Sequence, residues 1–199
     1  MTTPTVRRAA PIDIGGITDT LQQAFFDDPV MRYLFPSDAS RRWRSAKFFK
    51  TELKSHQLPL NSAWTTAHHE AAALWAPPGH WQLPPATIAR NAVPLVRAFG
   101  RRLPAALRVL SLMEKKHPVE PHWYLAILGT APRHQGKGIG SAVMAPVLEI
   151  CDNEGLPAYL ESSKHANIAF YARHGFEVTG EVALPGGGPI IWPMWRNPR

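Results

Sequence analysis

A chain of 199 residues, 45% of them hydrophobic, can bury one substantial core, and its length suggests a single domain, 1–199. No apolar run reaches the roughly 18 residues of a membrane span, and Met1 to Arg8 lacks the apolar centre of a secretion leader, so a cytoplasmic location is expected. The lone cysteine, Cys151, excludes an intramolecular disulfide and a cysteine-built metal cluster, while the formal charge of +7 is gathered almost wholly between Ala86 and His117.

In chain order, Val6 to Arg8 predicts a first strand. Asp13 predicts a helix N-cap, with Ile14, Ile17, Leu21 and Phe25 on one face. Asp27-Asp28-Pro29 ends that helix. A second helix is expected over 39–58, turning Trp43, Ala46, Phe49 and Leu53 inward. Strands follow at 63–67 and 71–76, joined near His68-His69-Glu70 and closed by Pro77-Pro78-Gly79.

The basic stretch sets Arg90, Arg97, Arg101, Arg102, Arg108, Lys115 and Lys116 against Glu114. Its apolar residues, from Ile88, Val93, Val96 and Phe99 to Leu103, Leu107 and Leu110, recur at helical spacing, broken by Gly100 and Pro104. Basic amphipathic helices can bind membranes or nucleic acid, but no recognition motif accompanies these. Two surface helices with solvated arginines explain the pattern, so neither membrane nor nucleic acid is expected as partner.

The densest signal comes next. Trp123-Tyr124-Leu125-Ala126-Ile127-Leu128 suits a buried strand, and Ile139, Val143, Val147 and Ile150 form one helix face. Between them lies Gln135-Gly136-Lys137-Gly138-Ile139-Gly140-Ser141. Alternate glycines let backbone approach a ligand, and free N–H groups at a helix start favour a phosphate or pyrophosphate. A tight turn without a ligand explains the same glycines. Ser141 breaks a dinucleotide fingerprint, and Gly138 after Lys137 breaks a nucleoside-triphosphate loop. Pro146 predicts a kink in the following helix, where Cys151 reads as packing.

A second buried strand is expected at 156–161. Behind it, Asn167 and Tyr171 are one helical turn apart and share a face, and Gly175 suits the left-handed residue that ends a short helix. The last two strands are expected at 176–184 and 190–195.

Gln135, Gly138 and Gly140, followed by Asn167, Tyr171 and Gly175-Phe176, resemble the two signatures of the GCN5-related N-acetyltransferases. His117-Pro118-x-Glu120-Pro121, Gln135 to Val143, Leu160-Glu161-x-Ser163 and the Pro185 to Pro189 hairpin resemble the puromycin N-acetyltransferase group. The likeness is close over about the last 80 residues and looser over the first 120.

The resemblance implies an α/β fold: a mixed sheet of about seven strands flanked by helices, splayed between central parallel strands at 122–130 and 158–162. It divides the chain into an acceptor half, about 1–117, and an acetyl-CoA core, about 118–180. Backbone at Leu128, Gly129 and Thr130 would pair with pantetheine. Gln135, Gly136, Lys137, Gly138, Ile139, Gly140 and Ser141 would hold the pyrophosphate, Arg133 would add charge, and Asn167 would hold coenzyme A by its amide. Tyr171 is the expected general acid. Glu161, or less directly His122, is the expected base, with a structural carboxylate the alternative at 161. Phe26, Asp27, Asp28, Tyr33 and Trp75 would line the acceptor pocket, although capping and core packing explain them too. The activity implied is direct acetyl transfer in a ternary complex to a primary amine of a small molecule, such as a puromycin-like aminonucleoside, without a metal and in a monomer or homodimer. A noncatalytic acyl-CoA sensor and a peptide or protein N-acetyltransferase are the alternatives.

Overall fold

The computed structural model describes residues 4–82 and 84–199, so the opening Met1–Thr3 of the segment read for a leader lies outside it. Strands β1 (Val6–Arg8), β2 (Ala63–Thr66), β3 (Ala71–Ala76), β4 (Trp123–Thr130), β5 (Ala158–Ser162), β6 (Glu177–Val178), β7 (Val182–Ala183) and β8 (Ile190–Arg196) form one sheet. Its order is β1-β2-β3-β4-β5-β8-β6, with β7 also on β8; β4 and β5 run parallel and the other pairs antiparallel.

Two irregularities shape this sheet. The β4–β5 ladder holds for three registers only, ending at Leu125 opposite Leu160, so the strands part over the rest of β4. On its other side, Leu74 pairs with Ile127 but Trp75 with Leu125, which leaves Ala126 as an extra, bulged residue. The bulge shifts the alternation. Leu125 packs in the layer beneath helix α7 (Ile139–Glu154), whereas Ala126 and Ile127 both face the opposite layer.

That opposite layer is closed by α1 (Ile14–Ala24), α2 (Pro29–Leu34), α3 (Asp38–Glu52), α4 (Pro85–Arg90), α5 (Ala92–Phe99) and α6 (Leu103–Lys116). Ile17, Leu21, Phe49, Leu53, Leu74 and Phe99 make its core, and Trp75, Val143, Met144, Val147, Leu160 and Met194 make the core under α7. The remaining helix, α8 (Ile168–Ala172), follows β5.

Four expectations need correction. Asp13 makes no side-chain cap to α1. Its carboxylate accepts two 2.7 Å bonds from the Arg7 guanidinium, one from the Ala10 N–H and one from His69, tying β1 to the β2–β3 turn. The second helix ends at Glu52 and continues as a π-helical turn over Leu53–Gln57. Trp43 points outward, 44% exposed under Arg44 and Lys47, while Arg41 turns inward. The Arg41 guanidinium donates to the carbonyls of Phe35, Pro36 and Phe26 and to Asp38, so each of its nitrogens has a partner despite burial. The strand expected at 176–184 is broken into β6 and β7.

Candidate active site

Where β4 and β5 part, two cavities meet. A groove of about 440 Å³ runs along β4 from Leu125 to Thr130, past Gln135 to Ser141, to Asn167, Phe170 and Tyr171. An apolar chamber of about 390 Å³ lies between the sheet and helices α2 to α6, walled by Met31, Phe48, Phe99, Leu103, Leu110 and Met113 among others. Phe25, Asp28, Ala126, Ile127, Glu161 and Ser163 border both spaces. The bulge at Ala126 brings two consecutive β4 residues to that junction.

The groove has the shape and polarity of an anion cradle. Gly136 and Gly138 hold φ of 73° and 77°, a left-handed backbone that places the loop ahead of α7. The first α7-turn bond runs from the Ala142 N–H to the Gly138 carbonyl, so the N–H groups of Ile139, Gly140 and Ser141 have no intrahelical acceptor. Gly140 is needed for close packing, since a Cβ there would sit 3.2 Å from Thr130 Oγ1 and 3.6 Å from Phe170. Gln135 fixes the loop by donating to the Thr130 carbonyl at 3.1 Å.

Leu128, Gly129, Thr130, Gln135, Gly136, Gly138, Ile139, Gly140, Ser141 and Asn167 all line the groove, with Tyr171 and Glu161. Arg133 and Lys137 do not. Arg133 donates to His134 and Lys137 folds back onto the Arg133 carbonyl at 3.1 Å, both in the exposed turn. The cations that do reach the groove are Lys164 and Arg173, which the spacing argument missed. Both lie in the segment carrying Asn167 and Tyr171, where counting charges would have found them.

On the acceptor side, Asp28 alone of the expected residues borders the chamber. Its Oδ1 accepts the Val30 and Met31 N–H groups at 2.9 and 3.0 Å, capping α2, and Ser163 donates to its Oδ2. Phe26 lies under Arg41 and Arg42, Asp27 is exposed, and the Tyr33 hydroxyl donates to the Pro185 carbonyl at 2.6 Å. Trp75 is fully buried in the layer beneath α7, because its place in the β3 alternation turns it to the sheet face opposite the chamber. None of these four lines the chamber: Phe26 and Tyr33 are held by neighbouring contacts, Asp27 faces solvent, and Trp75 belongs to the core under α7.

Glu161 is the group with the most unusual environment. Burial raises its carboxyl from 4.5 to about 7, against the opposing pull of hydrogen bonds from Tyr124 and Tyr159. The Tyr124 hydroxyl donates to Oε2 at 2.8 Å, and Oε1 lies 3.9 Å from His117 Nδ1. Burial, with the Asp28 charge adding to it, holds the Tyr171 phenol well above its ordinary value, so this hydroxyl stays protonated. Cys151 is buried in the α7 core with its thiol pushed up to about 12, which removes it as a nucleophile. Among the described residues no group of three or more His, Cys, Asp or Glu could hold a metal ion. Nor is any described helix long and apolar enough to cross a membrane.

Comparison with known proteins agrees with this fold. The acetyltransferase (GNAT) family profile matches residues 61–176. An uncharacterized N-acetyltransferase of Schizosaccharomyces pombe is 29% identical over 177 residues, 83% of this chain and 71% of that protein. A crystal structure from Corynebacterium glutamicum, described as histone acetyltransferase HPA2 and related acetyltransferase, superposes with a TM-score of 0.73 at 24% identity over 100% of this chain and 98% of the other. A Drosophila melanogaster polyamine N-acetyltransferase superposes with a TM-score of 0.65 at 15% identity, covering 98% and 100% of the two chains. Both likenesses to solved structures speak for the fold. The family match spans more than half the chain, from β2 through the Gly-rich turn to the Asn167–Tyr171 segment, and the chain is a member of the acetyltransferase (GNAT) family, whose enzymes use acetyl-CoA.

Proposed function

We propose that the protein transfers the acetyl group of acetyl-CoA directly to a primary amine carried on an apolar or aromatic body. The observation that carries this reading is Glu161, a mostly buried carboxyl raised to about 7 at the wall shared by groove and chamber. Acetyl-CoA supplies an activated acyl thioester. The rest is the work of this chain. Its α7 N-terminus, Lys164 and Arg173 would hold the phosphates, and the free edge of β4 from Ala126 to Thr130 would pair with the pantetheine amides.

An aliphatic ammonium, with a pKa near 10.4, cannot attack until it loses a proton. Entering the apolar chamber lowers that value by desolvation, and Glu161 is placed to take the proton. Asp28, which caps α2 and is oriented by three donors, offers the ammonium a second carboxylate. The Tyr171 phenol is a weaker acid than the coenzyme A thiol, so its role is to donate a hydrogen bond to the departing sulfur rather than to give up its proton completely. Held together in one crevice, donor and acceptor avoid the entropy cost of a bimolecular meeting.

The chamber favours an acceptor with substantial apolar surface, because aliphatic and aromatic side chains make most of its wall. A puromycin-like aminonucleoside meets that description, and so does an arylalkylamine. A second reading, a polyamine-like acceptor, is supported by Glu52 and Glu114, which also line the chamber and could meet a distal cation. We assign one catalytic domain to 1–199, its acceptor half about 1–117 and its acetyl-CoA core about 118–180. The test is release of free thiol from acetyl-CoA with puromycin, phenylethylamine and agmatine. Turnover with either of the first two supports the apolar-amine reading, and turnover with agmatine alone replaces it by the polyamine one. Tight acetyl-CoA binding with no turnover on a wide amine panel would refute the enzyme and favour a sensor.

A further inference from the structure

Two histidines behind Glu161 form a chain whose proton positions can be deduced. His122 Nδ1 lies 2.6 Å from the Glu120 carbonyl oxygen, which can only accept, so His122 carries its proton on Nδ1. A neutral His122 is therefore bare at Nε2. That atom lies 3.0 Å from His117 Nε2, and one proton must sit between the two nitrogens. It belongs to His117, which donates it. A neutral His117 is then bare at Nδ1, the atom 3.9 Å from Glu161 Oε1.

Neutrality of both rings follows from their surroundings. His117 is stacked on Trp81 with 3.7 Å between ring centroids and meets Tyr124 and Tyr159 edge-on, while His122 lies between Tyr159 and Trp195. Burial first, and then the neighbouring His122, takes His117 down to about 3. Burial also lowers His122, against a small opposing pull from the Glu120 carbonyl and charge. Around Glu161 itself stand the Tyr124 hydroxyl, which donates to its carboxylate, and the Tyr159 hydroxyl, whose polarity opposes the effect of burial.

We propose that His122 is a positioning residue: by accepting the Nε2–H of His117 it turns the bare Nδ1 of His117 toward Glu161, so that the carboxyl group meets an acceptor there and binds a proton more firmly. The opposite tautomer would place an N–H against Oε1, stabilise the carboxylate and weaken it as a base. Once Glu161 has taken a proton, its O–H has an acceptor facing it. The role given to the base rests on the acetyl-transfer reading above, but the tautomer and its effect on Glu161 do not require turnover.

The test uses NMR on the full chain without substrates. In 15N-labelled protein at pH 8, His117 is expected to show a protonated Nε2 and a bare Nδ1, and His122 the reverse. A proton on His117 Nδ1 overturns the proposal. The Glu161 13C carboxyl resonance is then titrated in the wild type, His122→Phe and His122→Gln. Phenylalanine keeps the ring packing but removes the acceptor, which frees His117 to present Nδ1–H to Glu161. The midpoint is expected to fall by less than about one pH unit, because at 3.9 Å the Nδ1–H acts on the carboxylate as a nearby dipole and not as a full hydrogen bond. Glutamine can donate to the Glu120 carbonyl and accept from His117, so its midpoint should stay beside the wild-type value. An unmoved midpoint in His122→Phe, or an equal fall in both variants, overturns the proposal. Loss of the catalytic reading would instead show as Glu161→Gln retaining full turnover with the tautomers unchanged.

Discussion

Glu161→Gln should make the protein more stable and less active at once, and only above a defined pH. The carboxyl sits at about 7 in the folded protein against an ordinary 4.5. That displacement of about 2.5 pH units, at about 1.36 kcal/mol per unit, makes ionised Glu161 a liability of about 3 kcal/mol. Because the folded value is raised, the wild type bears no such cost below pH 4.5. It loses stability as pH climbs from there through about 7, and then reaches a plateau. Glutamine never ionises, keeps an oxygen for the Tyr124 hydroxyl at the same place, and can offer an N–H to the bare His117 Nδ1.

The two proteins should therefore melt together near pH 4.5 and diverge above it. By pH 8 the variant should be ahead by up to about 3 kcal/mol, or roughly 6–12 °C at 2–4 °C per kcal/mol for a chain of this size. Over the same range kcat/KM should drop by about 10²–10⁴-fold, the usual contribution of a positioned base. Thermal melts from pH 4.5 to 8.5, with thiol-release kinetics on the same samples, measure both. A variant that is less stable than wild type at pH 8, or a difference that does not vary with pH, refutes the electrostatic argument. Wild-type turnover in Glu161→Gln refutes the base.

Tyr171→Phe should lower kcat by about 10²-fold or more while leaving acetyl-CoA affinity, measured by calorimetry, nearly unchanged, because only the hydrogen bond to the departing sulfur is removed. Gly138→Ala meets no atom within 4 Å yet must hold φ at +77°, so it should cost about 1–2 kcal/mol and weaken coenzyme A binding through the displaced α7 N-terminus. Leu110→Ser should raise KM for an apolar amine about fivefold with a stability change near 0.5 kcal/mol, since Leu110 is 48% exposed on the chamber wall; Leu21→Ala, at a fully buried site, should cost 2–5 kcal/mol. Asp13→Ala should destabilise by about 2 kcal/mol through loss of its Arg7 and Ala10 bonds. The Arg7 guanidinium holds the Asp13 carboxyl well below 3.8, so the wild type loses this contribution as pH falls beneath that value, and urea melts at low pH should show the variant flatter there.

The groove along β4 was legible in the sequence because its determinants are local. Gly136 and Gly138 precede a helix whose start they define, Gly140 lies in its first turn, and Asn167 and Tyr171 reach one groove because they are one helical turn apart. The same locality does not place Arg133 and Lys137, which lie outside the groove. Nearness in sequence to an anion cradle does not tell where a flexible cation points, and these two make bonds within their own turn. The acceptor side depends on contacts between residues far apart in the chain. No periodicity reveals that Asp28 meets Ser163, or that His117 stands opposite Glu161.

What opens the chamber is a pair of departures from regular sheet geometry: the parting of β4 and β5, which the family resemblance implied, and a bulge that no residue pattern announces. A regular β4 would turn Ala126 and Ile127 to opposite faces, and a full β4–β5 ladder would pair the backbone that the groove leaves free. The bulge and the short ladder together set Glu161 at an opening between two layers that are otherwise closely packed. Helix α6 completes the enclosure without burying any of its own residues completely, which is why its apolar face and its cations Arg108, Lys115 and Lys116 read, in sequence, as an ordinary surface helix. Leu107 and Leu110 are half exposed because they face a cavity rather than a core. An acceptor with apolar surface would cover them, so the side chains that make this helix look weakly packed are the ones that select the amine.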